Sequence, residues 1–141
     1  MAEQSLAATK RLYEALDKAD TEAVVGLFDP SAEIVVPPLP PWLPAGYSGV
    51  EGAVDYFRTV LRALEETHFS VTEMRPSGDD WVAVIGDWWG QVRSTGREFN
   101  ARSVHFWTFR DGKVVKAEGI FDTAGIMRAF TDDVAAGAEV G

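Results

Sequence analysis

The chain has 141 residues, 46% of them hydrophobic, so a packed domain with one sizeable core is expected rather than disorder. Its 13 basic residues stand against 22 acidic ones, and a net charge of −9 repels phosphate backbones and anionic bilayers, which argues against nucleic acid as a partner. There is no cysteine, so disulfides, thiolate nucleophiles and cysteine metal sites are excluded, and two histidines, His68 and His105, are too few for an ordinary zinc centre.

No apolar run is long enough to span a bilayer. The opening MAEQSLAATKRLYEAL lacks the basic start and apolar stretch of a secretory signal. No membrane partner is therefore expected, and cytoplasmic residence is the default. Residues 4–19 read as a helix, with Ala8, Leu12, Ala15, Leu16 and Ala19 forming one apolar stripe. DTEAVVGLF is a second, short helix capped by Asp20 or Thr21, and Pro30 ends that region. AEIVV (32–36) is a β-branched strand. Five of the seven prolines then fall between Pro37 and Pro44, in a stiff irregular loop, PPLPPWLPAGYSG, that carries Trp42 and Tyr47. Ser48 and Glu51 have the spacing of a capping box, and Val50, Val54, Phe57, Leu61 and Leu64 continue a helix to about residue 65.

After this helix the apolar period changes to two. HFSVTEMR, WVAVIGDWWGQVR, EFNARSVHFWTFR and KVVKAEGIF are strands, separated by PSGDD, STGR and the Asp111-Gly112 hairpin turn. Asp122 caps a short helix, TAGIMRAF, and 131–141 reads as a frayed tail. Helices followed by meandering strands indicate the α+β class, one domain over 1–130, with an antiparallel sheet covered by helices on one face.

Turn lengths set register, and register sets faces. A two-residue loop at Thr95-Gly96 places Asp87 opposite Val104 and Trp89 opposite Arg102. A two-residue loop at Asp111-Gly112 places His105 opposite Glu118. One face then holds Ile85, Asp87, Trp89, Gln91, Arg102, Val104, Phe106, Ala117, Gly119 and Phe121; the other holds Val84, Trp88, Ser103, His105, Trp107, Glu118 and Ile120. A three-residue first loop brings Asp87 beside His105 instead.

The stretches LYEALDKADTEAVVGLFDPSAEIVV, YSGVEGAVDYF and VHFWTFRDGKVVKAEGIFD, in this order, resemble the ketosteroid isomerase and SnoaL-like cyclase group of the nuclear transport factor two-like superfamily. The resemblance covers roughly residues 5–130. It implies a cone-shaped curved sheet wrapped around N-terminal helices with a central pocket, no cofactor, and dimers that pack the outer sheet faces together. The residues that carry the group's chemistry do not transfer intact. The isomerases' base aspartate looks like Val36 here, their oxyanion-binding acid like Val104, and their helix-one tyrosine aligns nearer Leu12, one step from Tyr13. The inward acid of the cyclases' last strand corresponds to Ala117, Gly119 or Phe121.

Asp87, between Ile85 and Trp89, is expected to face the pocket, where apolar surroundings suit a carboxylate to acid–base work; the alternative is a structural ion pair with Arg102. Arg102 either stabilises developing negative charge or neutralises Asp87. His105 with Glu118 reads either as an acid–base dyad or as a pair on the outer face, inside a homodimer interface with Trp88 and Trp107. Tyr13, Trp42, Tyr47, Phe57, Trp89, Gln91, Phe106 and Phe121 are the expected substrate-binding walls, and no metal site is expected. Asp122 is accounted for by capping, and His68 by solvation. Three functions fit this sequence: a cofactor-free enzyme performing cyclisation, isomerisation or hydrolysis on a small apolar or polyketide-like molecule, a non-catalytic hydrophobic-ligand binder, or a dimerisation module.

Overall fold

The computed structural model describes residues 2–37 and 46–131. The chain runs α1 (Ala2–Asp17), α2 (Thr21–Val25), β1 (Phe28–Val35), β2 (Gly46–Ser48), α3 (Gly49–Ala63), β3 (Leu64–Ser77), β4 (Trp81–Val92), β5 (Glu98–Arg110), β6 (Lys113–Phe121) and α4 (Thr123–Phe130). The expected proline loop with Trp42 and the expected tail after Thr131 lie outside the described residues.

On α1, Ser5, Ala8, Leu12 and Ala15 recur at helical spacing and are buried, together with Thr9 and Tyr13. The Thr9 hydroxyl donates to the Ser5 carbonyl at 2.7 Å, which satisfies a polar group in the core. Asp20 accepts from the Ala23 N–H at 3.1 Å and Asp122 from the Gly125 N–H at 3.2 Å, so both expected caps form. The expected capping box does not: Ser48 sits at the N-cap of α3 without a side-chain cap bond. Its backbone is extended because it still belongs to β2, paired with Glu33. Pro30 falls inside β1 rather than ending the region before it. There the β1–β6 register shifts between Phe28 and Glu33, so no ladder bond depends on the missing N–H.

The six strands form one sheet in the order β2-β1-β6-β5-β4-β3, with β1 and β6 parallel and the other neighbours antiparallel. Helix α1 packs against β3 and β4, α3 against β1 and β3, and α4 chiefly against β5. The core lies between these helices and the sheet face that carries Val82, Val84, Trp88 and Val92 on β4 and Phe99, Ala101, Trp107 and Phe109 on β5. Among the described residues no helix is long and apolar enough to cross a membrane.

Two registers decide what faces this core, and both differ from expectation. Between β4 and β5 the ladder closes at Val92 and Arg97, whose N–H and carbonyl meet at 2.8 Å, leaving a four-residue loop with Gly96 at φ +75°. The slip relative to a two-residue loop is two residues, so the faces are unchanged but Asp87 pairs with Arg102, not Val104. Between β5 and β6 the expected Asp111-Gly112 turn is present, both residues at positive φ, and Arg110 pairs with Lys113. One bulge follows: Phe109 pairs with Val114 but Thr108 with Lys116, leaving Val115 as the extra residue. The Phe109 N–H bonds to the Asp80 carbonyl at 2.7 Å and continues the β4–β5 register by one pair. This one-residue slip turns β6 over. His105 now lies opposite Gly119, and Glu118 opposite Phe106.

Curvature has its own requirement on β4. Gly86 pairs with Val71, next to a second register shift between Val71 and Glu73. A Cβ at Gly86 would lie 2.3 Å from the Ser70 carbonyl oxygen and 2.6 Å from the Phe69 ring. Gly86→Ala is therefore expected to destabilise the fold by about 2 kcal/mol or more, read as a lowered urea midpoint. An unchanged midpoint would show that the β3 bulge can yield.

Candidate functional site

Because β5 alternates, Ser103, His105 and Trp107 point to the helix-covered face, and the turned-over β6 adds Ala117, Gly119 and Phe121 to it. A cavity of about 140 Å³ opens between these strands and the helices. Tyr13, Leu16 and Asp17 of α1, Tyr56, Phe57 and Val60 of α3, His68 and Phe69 of β3 and Trp88 of β4 complete much of its wall. It is of the order of the ~150 Å³ apolar cavity that accommodates one benzene.

Three side chains form a hydrogen-bonded chain in this wall. The Trp107 indole N–H donates to the Tyr13 hydroxyl at 2.9 Å, and that hydroxyl lies 2.5 Å from His105 Nδ1. An indole nitrogen only donates. The Tyr13 oxygen thus accepts from Trp107, and its own proton has one acceptor among the described residues, His105 Nδ1. The arrangement that leaves no proton stranded makes Nδ1 the acceptor and puts the imidazole proton on Nε2. No described residue is hydrogen-bonded to Nε2. The ring itself is held between Phe69, at a centroid distance of 4.5 Å, and Tyr13, stacked at 5.9 Å. Burial lowers the His105 pKa from 6.5 to about 4, so the imidazole is neutral at pH 7. Burial likewise pushes the Tyr13 phenol far above its ordinary range, so it remains a hydroxyl.

Trp88 and Thr67, also in the wall, are matched, and the acidic residues Asp17 and Glu118 belong to the lining as well. The Trp88 indole N–H donates to Thr67 Oγ1 at 2.7 Å, and Thr67 donates to the Trp89 carbonyl at 2.8 Å. At the rim, His68 meets Glu66 at 2.8 Å and Asp17 at 3.5 Å, and the hydrogen bond to Glu66 is the main reason its pKa is raised. Among the described residues no lysine or arginine lines the cavity, and no three His, Asp or Glu side chains converge as a metal ion would need.

Several expected site residues lie elsewhere. Asp87 and Arg102 pair at 3.1 Å on the opposite sheet face, their side chains 38% and 56% exposed, because the uncharged residues of β4 and β5 take the core side. On that same outer face Trp89 donates to Glu98 at 2.9 Å, Gln91 reaches the Gly96 carbonyl at 3.4 Å, and Phe106 stacks on Trp81 at 5.4 Å. Tyr47 packs on Tyr56 at 5.3 Å, behind the cavity wall. His105, Tyr13, Phe57 and Phe121 do line the cavity. Trp88 and Trp107, read as interface residues in one alternative, are buried inside, and the expected His105–Glu118 pair is broken by the bulge. Sequence reasoning missed Tyr56 and the pairing of Tyr13 with His105. A signal for the inner face existed: positions 82, 84, 86, 88, 90 and 92 carry no charge, and neither do 99, 101, 103, 105, 107 and 109, whereas the alternate sets contain Asp87, Glu98 and Arg102.

The depressed His105 value has a stability consequence. The unfolded chain takes up the His105 proton near pH 6.5 while the folded chain resists until about pH 4. Stability is therefore full above 6.5 and declines as pH falls toward 4, by at most ~1.4 kcal/mol per pH unit. In His105→Asn, where the side-chain oxygen can still accept from Tyr13, this share of the slope is expected to vanish from urea titrations between pH 6.5 and 4.5. Parallel slopes in the two proteins would contradict a buried, neutral His105.

The sequence matches the SnoaL-like domain family over residues 9–117. Among curated proteins there is no significant match. Among solved structures, an NTF2-like protein of unknown function from Burkholderia pseudomallei K96243 superposes with a TM-score of 0.84 at 25% identity, over 91% of this chain and 98% of that one. TerC, co-crystallised with polyporic acid, gives 0.81 at 26% identity, over 89% and 97%. IdmH, a proposed polyketide cyclase from Streptomyces antibioticus, shares the fold with a TM-score of 0.74 at 24% identity, over 90% and 98%. Helices on one face of a curved, unclosed six-stranded sheet agree with the match that spans most of the sequence: the chain belongs to the SnoaL-like domain family and has the NTF2-like, ketosteroid isomerase-like fold.

Proposed function

We propose that this chain is a cofactor-independent SnoaL-like enzyme, acting as one domain over residues 1–130 in the cytoplasm, in which neutral His105 donates a hydrogen bond from Nε2 to a carbonyl oxygen of an uncharged, mostly apolar ring-bearing substrate. The observation that carries this reading is the Trp107–Tyr13–His105 chain, which occupies Nδ1 and leaves the Nε2 proton to the cavity. The absence of lysine and arginine from the described lining supports a substrate without negative charge, because its rim histidine, His68, is already paired with Glu66 and Asp17. The polyporic acid bound to TerC supports small-molecule binding in this fold.

A carbonyl that accepts the Nε2 hydrogen bond is polarised, and negative charge growing on its oxygen is stabilised where it develops. A histidine with a low pKa suits this role, since it stays a neutral donor across the physiological range. Enolisation and aldol-type ring closure both build such charge. In ring closure the enol carbon bonds to the carbonyl carbon, the enol O–H proton is lost as its C=O re-forms, and the new alkoxide takes up a proton. The substrate is isomerised without a redox partner. Tyr13 and Trp107 act as positioning residues through His105.

A second reading, ligand binding without turnover, is favoured by one observation. Ala117, Gly119 and Phe121 are the inward residues of β6, where the resemblance to the cyclases implies an acid. A separate proposal concerns the outer sheet face as the homodimer surface. Ile85, Val104 and Ile120 are in register across β4, β5 and β6, and Ile120 is 53% exposed.

Two measurements test these readings. With aromatic ketones titrated against tryptophan fluorescence, His105→Asn is expected to weaken binding about tenfold and Asp87→Asn to match the unmutated protein. Turnover of a 1,3-diketone chain should fall by about 10² in His105→Asn. Equal affinity in His105→Asn would sink the enzyme reading, and binding without any product in the unmutated protein would select the second. In light scattering at micromolar concentration, Ile120→Glu should shift a dimer toward monomer, whereas a monomeric unmutated protein would remove the interface proposal.

A further inference from the structure

Tyr56 projects from α3 into the same cavity wall as His105. Its ring is fixed edge-to-face against Tyr47 and Phe57, at 5.3 and 5.1 Å. Burial pushes its phenol well above the ordinary value, so it is a neutral hydroxyl, and it lies near enough to Tyr13 to influence that residue's ionisation. Yet no described residue makes a hydrogen bond to the Tyr56 hydroxyl, while Tyr13, Thr67, Trp88 and Trp107 around the cavity all have partners. A hydroxyl facing an apolar cavity with no partner among the described residues is costly, and proteins retain few of them. The same wall therefore presents two open donors, His105 Nε2 and the Tyr56 hydroxyl, on two different elements, β5 and α3.

We infer that Tyr56 is a second polar anchor and that the ligand is a single-ring aromatic or quinonoid carrying oxygen at two positions, one for His105 and one for Tyr56. This rests on the His105 reading above for its first anchor. The class follows from three properties of the cavity. Its volume of about 140 Å³ is on the scale of one ring. Its wall is largely aromatic, which favours a flat apolar body. The two open donors, His105 Nε2 and the Tyr56 hydroxyl, are neutral and select oxygen acceptors and hydroxyls, and the acidic residues of the lining, Asp17 and Glu118, offer an anion no partner. A tyrosine hydroxyl also accepts, so a phenol and a carbonyl are both admissible at the second position.

The probes are benzaldehyde, with one oxygen, and its 2-, 3- and 4-hydroxy isomers, with two at different spacings, titrated by calorimetry into the unmutated protein, Tyr56→Phe and His105→Asn. The expected result is that one hydroxy isomer binds the unmutated protein about fivefold to tenfold more tightly than benzaldehyde, and that Tyr56→Phe abolishes this preference while leaving benzaldehyde affinity as it was. His105→Asn should weaken benzaldehyde and the preferred isomer alike. Tyr56→Phe should also melt no lower than the unmutated protein, because it removes a hydroxyl that no described residue satisfies. A preference that survives in Tyr56→Phe, no preference among the probes, or a lowered melting temperature in Tyr56→Phe would overturn this inference and leave the His105 reading standing. Failure of every probe to bind would overturn both.

Discussion

The site depends on one hydroxyl, that of Tyr13. Its oxygen can accept and its single proton can be given once. The Trp107 indole takes the first option and His105 Nδ1 the second. In doing so the hydroxyl ties helix α1 to strand β5 across the cavity and decides where the imidazole proton resides. A phenylalanine here would leave an indole N–H and an imidazole nitrogen unmatched, whereas the tyrosine makes the wall of the cavity self-consistent. The orientation of the imidazole and its open Nε2 are inherited from that bond, and burial keeps the ring neutral.

The alternation of β5 makes the bond possible, and the sheet as a whole separates two kinds of polarity. The outer face carries ordinary solvated charge: Asp87 with Arg102, and Glu98 accepting from Trp89. Exposed pairs of this kind contribute little to stability and are readily satisfied by water. The inner face carries polar groups without formal charge at neutral pH, set among tryptophan, phenylalanine and aliphatic side chains. In such surroundings a neutral donor aimed at a developing oxyanion is worth far more than it would be in water. The division explains why the most reactive-looking charged pair in the sequence lies away from the cavity, and why the working candidates are a histidine and a tyrosine that do not ionise.

Much of the fold was legible from local chemistry. The change of apolar period from helical to alternating, the Asp20 and Asp122 caps and the Asp111-Gly112 turn all depend on neighbouring residues, and all appear in the structure. Strand faces were harder, since they depend on counting through turns. The four-residue loop at 93–96 cost nothing, because a slip of two preserves the faces. The bulge at Val115 cost β6, because a slip of one reverses them and no local pattern announces it. Adjacent aromatic residues added to the difficulty: Trp88 and Trp89, and Phe106 and Trp107, give both faces an apolar appearance. Charge distinguishes the faces better, because Asp87, Glu98 and Arg102 all lie on the outer one. The contact between Tyr13 and His105 spans 92 positions and follows only once α1 is docked.

The claim on which this account turns is the protonation state of one ring, and nitrogen-15 NMR of the histidine side chains measures it directly. With only His68 and His105 in the chain, His105→Asn assigns the signals. His105 is expected to be neutral with its proton on Nε2, and to stay so as pH is lowered until about 4, while His68 titrates above its ordinary value. A His105 ring protonated on Nδ1, or one that titrates near 6.5, would contradict it.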